Sequence, residues 1–301
     1  LLVLLTITLN GQSLYSTAFG DPKNKAVIFL HGGPGYNCAG FEATTAQNLS
    51  KEGYYVIDYD RRNEGRSTGM KAEFTFQEAF DDVNSLYKKY KIKSATLLGH
   101  SFGGAVGTLF AQKYTSKVNA LVLIGAPVSL QETFCTIVHS AKEIYQQKHD
   151  SINLGYLASI EKMDTASLKY SSFCFMHAKQ NNFYSPKQPC DEAKSIYALY
   201  KTDTLLMKYA SQMTYPATMG FWKNEKYTTI SLTTTLKELI AKKLMVYGLY
   251  GKEDGLYSKQ QLSSLADILG NDRLRCYDNC SHNVFIDQQT AFLKALKDWI
   301  K

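Results

Sequence analysis

Six short strand-like runs, residues 26–30, 54–59, 95–98, 120–124, 244–247 and 274–277, are separated along the chain by stretches with the helical period. Short runs rich in apolar and β-branched residues fit strands buried on both faces, and their alternation with helices is the signature of a mostly parallel sheet flanked by helices. The helical stretches are residues 41–51, 102–114, 258–269 and a last one starting near 287. A further helix opens at a capping-box pattern, Thr75 followed by Glu78, and carries Phe76, Phe80, Val83, Tyr87 and Tyr90 on one face as core packing. Ahead of the six runs, residues 1–9 read as a first strand, Asn10-Gly11 as a hairpin turn and residues 13–19 as a second strand.

The alternation stops between residues 126 and 239, where the composition turns rich in Tyr, Ser, Lys and Thr, with helical pieces at 135–147 and 191–210. A chain of 301 residues with 45% hydrophobic content can build one large core, and no low-complexity tract suggests disorder. The expected organisation is therefore an α/β core from residues 1–125 and 240–301, interrupted by a helical cap at 126–239.

The net charge of +7 does not imply a nucleic-acid partner, because the lysines are scattered over helix faces such as 87–90 and 294–301. The apolar opening Leu1-Leu2-Val3-Leu4-Leu5 lacks the basic flank and small-residue cleavage site of a signal peptide, and no other run is long enough to span a bilayer. A soluble protein is expected, cytoplasmic in preference to exported. Six cysteines are too few for a disulfide scaffold in a chain this long. Cys276, Cys280 and His282 have a spacing reminiscent of a metal site but lack the second ligand cluster that structural zinc needs, so no metal is expected.

Chemistry concentrates in Gly99-His100-Ser101-Phe102-Gly103, a G-x-S-x-G sequence lying between a strand and a helix. In that setting the serine occupies a strained turn that exposes its hydroxyl. A serine hydroxyl needs a histidine to take its proton and a carboxylate to hold that histidine in one tautomer. The chain order that accompanies this elbow is Ser, acid, His, which excludes His31 and His100 as base. His139, His149 and His177 fall in the helical insertion, leaving His282, which follows the last strand. For the acid, Asp254 follows the 244–247 strand, with Glu253 as the fallback; the other strand end, Gly125-Ala126-Pro127, offers no carboxylate. Backbone donors for an oxyanion are expected from Phe102, next to the nucleophile, and from the loop His31-Gly32-Gly33-Pro34-Gly35, with Gly33 the favoured residue.

Taken together these residues resemble the α/β-hydrolase superfamily, and the His31-Gly32-Gly33-Pro34-Gly35 loop is similar to that of its proline iminopeptidase branch. The stretch Asp60-Arg61-Arg62-Asn63-Glu64-Gly65-Arg66-Ser67, which reads as a loop, is similar to the Gln-Arg-Gly-x-Gly-Arg-Ser type sequence of that branch but altered. The resemblance implies an α/β-hydrolase fold with an inserted helical cap and a serine hydrolase that removes an N-terminal residue such as proline from a small-molecule or short-peptide substrate. The branch usually places tryptophan after the nucleophile, whereas this chain has Phe102 in a Gly-His-Ser-x-Gly-Gly elbow common in esterases, so a carboxylesterase is the alternative. The branch also uses cap carboxylates to hold the substrate's amino group; Glu132, Glu143, Asp191, Glu192 and Glu225 lie in the cap segment but match no motif. A non-catalytic ligand-binding homologue is the remaining reading, since fold alone does not dictate function. No cofactor is implied, as no phosphate-cradling glycine motif is present.

Overall fold

A computed structural model describes residues 13–300. The expected first strand and the Asn10-Gly11 turn lie outside the described residues. The strands are β1 (Ser16–Phe19), β2 (Lys25–Leu30), β3 (Tyr54–Tyr59), β4 (Ala95–His100), β5 (Val118–Ile124), β6 (Met245–Gly251) and β7 (Leu274–Tyr277). They form one sheet in the order β1-β3-β2-β4-β5-β6-β7, with β1 antiparallel to β3 and every other pair parallel. β4 and β6 run past their apolar runs into Gly99-His100 and Gly248–Gly251, because ladder pairing with β5 and β7 continues there.

Both faces of the sheet are covered, which is why β3 is buried along its whole length. One face packs on helices Phe76–Lys89 and Phe102–Lys113, through Phe80, Val83, Val106 and Phe110. The other packs on Phe41, Leu49, Phe285, Phe292 and Leu296. The helical run near residues 41–51 begins at Ala39–Phe41, widens into a π-helical stretch at Glu42–Ala46 and closes as Gln47–Lys51.

Only half of the expected capping box at Thr75 forms. The Thr75 hydroxyl accepts from Glu78 N at 3.1 Å, but the Glu78 carboxylate turns to the N–H groups of Glu73 and Phe74, both at 2.9 Å. A reciprocal box forms instead at Ser258 and Gln261, opening helix Lys259–Leu269.

Between β5 and β6 lie helices Leu130–Gln147, Ser151–Ile160, Leu168–Gln180, Asp191–Leu199, Thr204–Tyr209, Tyr215–Glu225 and Thr233–Ala241. The first begins earlier than its apolar period suggests because Ser129 caps it by accepting from Glu132 N. The expected helix at 191–210 is two helices: Asp203 accepts from Leu206 N at 2.9 Å and starts a new one. The last helix, Thr233–Ala241, spans the 239/240 position and packs on Phe102–Lys113, β6 and Lys259–Leu269, at the flank of the sheet. No helix among the described residues is long and apolar enough to cross a membrane.

Candidate active site

Ser101 stands between β4 and helix Phe102–Lys113 with φ 51° and ψ −125°, a conformation that few non-glycine residues adopt. Two contacts impose it. Ser101 N donates to Ile124 O at 3.0 Å, and Gly104 N donates to Ser101 O at 2.8 Å. The turn is so tight that a Cβ on Gly103 would stand 2.0 Å from Leu30 O, and one on Gly99 2.6 Å from the Gly104 Cα. Such backbone strain at a polar residue is characteristic of functional sites. Phe102 opens the helix, so its N–H has no intrahelical acceptor, and the positive end of the helix dipole faces the serine.

His282 and Asp254 come together from the ends of β7 and β6. His282 Nδ1 and Asp254 Oδ2 are 2.9 Å apart, and both side chains are buried. With Nδ1–H donating to the carboxylate, the lone pair is left on Nε2. Leu256 N fixes the other carboxylate oxygen, donating to Asp254 Oδ1 at 3.1 Å. Glu253, the fallback acid, is engaged elsewhere, accepting from Lys187 N. The imidazole ring of His282 lies among His100, Tyr184 and Tyr257, at centroid distances of 4.9, 5.2 and 6.5 Å. Burial and the neighbouring His282 push the His100 pKa down to about 3, so His100 is neutral and its Nε2–H donates to His282 O at 3.2 Å.

Gly125, at the end of β5, presses on this pair. Its φ is +48°, and a Cβ there would be 2.8 Å from His282 O and 3.5 Å from Asp254 Oδ2. Tyr257 locks the same turn by donating its hydroxyl to Gly125 O at 2.7 Å.

Ser101, Gly33, Phe102 and Tyr257 line one cavity with a volume of about 20 Å³, room for a water or two. Tyr257 therefore lines the Ser101 cavity and stands beside the His282 ring. Among the described residues no hydrogen bond joins Ser101 Oγ directly to His282.

The loop carrying Gly33 is clamped by residues that read from the sequence as a plain polar loop. Arg61, buried, donates through Nη1 to His31 O and through Nη2 to Gly32 O, both at 2.6 Å. Arg61 N donates to His31 Nε2 at 3.1 Å, so His31 carries its proton on Nδ1 and donates it to Gly32 O at 2.9 Å. Burial and then Arg61 hold the His31 pKa well below its ordinary value, keeping the ring neutral. Glu64, also buried, receives Arg61 Nε at 3.2 Å and Gly35 N at 2.9 Å. The guanidinium and the carboxylate thus fix both carbonyls ahead of Gly33 and the N–H behind Pro34. A charged run directly after a strand as apolar as β3 is the signal the sequence offers for this clamp.

Of the residues named from the sequence as a metal group, His282 has its Nδ1 committed to Asp254. Ligand-type atoms of Cys38, Glu42 and Asp58 do converge within 4.8 Å of one another. A guanidinium already stands there: Arg66 donates to Glu42 Oε2 at 2.7 Å and to Cys38 Sγ at 3.1 Å. Burial raises the Asp58 carboxyl and the Cys38 thiol well above their ordinary pKa values, which favours their protonated forms over ligands for a cation.

A sheet ordered in this way, with a strained serine at a strand-to-helix turn and a histidine–carboxylate pair from later strand ends, defines a class. A sequence profile for the alpha/beta hydrolase fold matches residues 25–289, and the chain belongs to that family. Within it the chain is a hydrolase that is proline iminopeptidase-like in sequence. It is 23% identical over 299 residues to the proline iminopeptidase PfmaB of Pestalotiopsis fici, covering 98% of each chain. In structure it matches a proline iminopeptidase-related protein from Thermus thermophilus with a TM-score of 0.67 at 20% identity, covering 95% of this chain and 92% of that one. It also matches an esterase from Exiguobacterium antarcticum, TM-score 0.63 at 18% identity, covering 95% of each.

Proposed function

We propose that the protein is a serine hydrolase working through an acyl-enzyme, with Ser101 as nucleophile, His282 as general base and acid, and Asp254 holding His282. The observation that carries this reading is the strained Ser101 turn set beside the hydrogen-bonded His282–Asp254 pair. Ser101 Oγ attacks the substrate carbonyl carbon while its proton passes to His282 Nε2. The tetrahedral oxyanion is met by the N–H groups of Phe102 and Gly33, whose loop Arg61 and Glu64 hold rigid. Collapse breaks the bond to the leaving group, which departs with the proton from His282. Water then attacks the acyl-Ser101 ester, giving its proton to His282, and the second collapse releases the carboxylic acid and restores the serine. Residues 126–239 act in this reading as the cap that closes over the acyl group.

Relatives named proline iminopeptidase favour removal of an N-terminal residue such as proline, and the esterase among the structural neighbours favours ester cleavage. The chemistry above serves both. Its test is labelling with a fluorophosphonate alongside hydrolysis of 4-nitrophenyl acetate. The wild type should label at Ser101 and turn over, and Ser101→Ala should lose both. Undiminished turnover in Ser101→Ala sinks the mechanism, and a folded wild type that never labels points to a ligand-binding homologue.

A further inference from the structure

Beyond the four residues already placed there, the cavity is lined from the segment after β5 and the turn after β6 by Pro127, Leu130, Thr133, Phe175, Tyr227 and Leu256. Four of the six are aliphatic or phenyl, and the only polar side-chain groups among them are the hydroxyls of Thr133 and Tyr227. The Thr133 hydroxyl is buried and has no hydrogen-bond partner among the described residues. None of the six carries a charge. All 27 Asp and Glu side chains belong to described residues, since residues 1–12 and 301 contain none.

No carboxylate of the cap segment lines the cavity, and the five named from the sequence are exposed or committed elsewhere. Glu132 is exposed, and Glu143 is exposed beside His139 at 3.4 Å. Asp191 is exposed and paired with Lys194 at 2.8 Å. Glu192 accepts from the N–H and hydroxyl of Thr290, at 3.1 and 2.6 Å. Glu225 accepts from Phe76 N at 2.7 Å, satisfying an N–H at the start of helix Phe76–Lys89. Behind the Gly33 loop Glu64 is spent on Arg61 and Gly35, and Asp254 is spent on His282.

An aminopeptidase substrate carries its amino group on the carbon next to the scissile carbonyl. With a pKa of about 8 for an α-amino group it is largely cationic at neutral pH. Once the carbonyl sits on Ser101, that charge must enter the wall just described, where two hydroxyls but no carboxylate could meet it, and a buried charge without an opposite charge is strongly disfavoured. We infer that the acyl pocket takes an uncharged acyl group, so that the substrate is an acyl compound of a neutral carboxylic acid and not a peptide with a free N-terminal amine. This rests on the serine hydrolase reading.

The test compares two 4-nitrophenyl esters of the same shape, cyclopentanecarboxylate and L-prolinate, each corrected for spontaneous hydrolysis. They differ in a ring CH₂ against a ring ammonium, so the narrowness of the cavity acts equally on both. The expected kcat/KM ratio is at least about a hundredfold in favour of cyclopentanecarboxylate at pH 7, as the unpaired charge requires. The ratio should shrink as pH rises through the amine pKa and the prolinate loses its charge. Prolinate cleaved as well as or better than its carbocyclic twin at pH 7 overturns the inference while leaving the acyl-enzyme intact. If neither ester is turned over although 4-nitrophenyl acetate is, the inference falls while the acyl-enzyme stands; if Ser101→Ala turns them over undiminished, the serine hydrolase reading fails and the inference falls with it.

Discussion

The two walls of the cleft are built by opposite means. The sheet side is a lattice of buried polar groups, in which His282 is fixed by Asp254, the Gly33 loop by Arg61 and Glu64, and the serine turn by Ile124 O. The facing wall holds its place by packing of apolar side chains such as Leu130 and Phe134, with Thr133 contributing a hydroxyl that has no partner among the described residues. Hydrogen bonds are directional and fix atoms to fractions of an ångström, whereas apolar packing fixes volume and tolerates exchange. On the proposed reading, the difference teaches that reaction type and substrate range are separately encoded, one in a rigid polar floor and the other in a replaceable apolar roof.

The floor breaks most completely at the acid. Asp254→Asn should lower kcat on an activated ester by about 10⁴-fold, because the amide no longer stabilises the imidazolium or selects the right tautomer. Steady-state kinetics on 4-nitrophenyl acetate checks it, and a loss below tenfold would mean that Asp254 does not serve His282.

Next in size is the clamp. Arg61→Met leaves Glu64 as a lone buried charge and two loop carbonyls unsupported, so it should cost about 3–5 kcal/mol in urea unfolding. The double variant Arg61→Met/Glu64→Leu should regain most of that stability, since no buried charge is then unpaired, yet its kcat should stay at least about tenfold low for want of a fixed oxyanion donor. Recovery of both together would show that the clamp serves stability alone.

The roof should give the smallest change. Leu130→Ala should shift the preference between 4-nitrophenyl acetate and hexanoate about tenfold toward the longer acyl chain, the size of effect that methylene-scale changes in a pocket produce. Its kcat on the acetate should stay within about threefold, because no floor contact is lost. A large fall on acetate would make Leu130 part of the machinery and erase the contrast.

How legible each wall is in the sequence follows from the same difference. Strand ends and the serine turn are readable because strain admits few residue types: Gly99 and Gly103 are required by contacts of 2.6 and 2.0 Å, so the motif has to be spelled out. Asp254 is readable only as one of two adjacent acids, and separating them takes the three-dimensional fact that Glu253 meets Lys187 while Asp254 meets His282. Arg61 is hidden because average polarity marks its segment as a loop, while the carbonyls that bury it stand about 30 positions earlier in the chain. The roof has no spelling at all. Its residues come from turns, two helices and a short 3₁₀ segment, with no common spacing, and four of the six positions ask only for an apolar residue of suitable size.

Gly125 carries a last consequence, for descent instead of chemistry. With the end of β5 pressed against His282 O and no room for a side chain, a carboxylate cannot be installed there to relieve Asp254 of its task. The two positions cannot trade places one substitution at a time, since the intermediate with both acids collides with the histidine backbone and the intermediate with neither leaves His282 without a partner. The edge of the sheet at Gly125 thus tolerates substitution far less than the apolar roof, where volume and not a single backbone contact sets the limit.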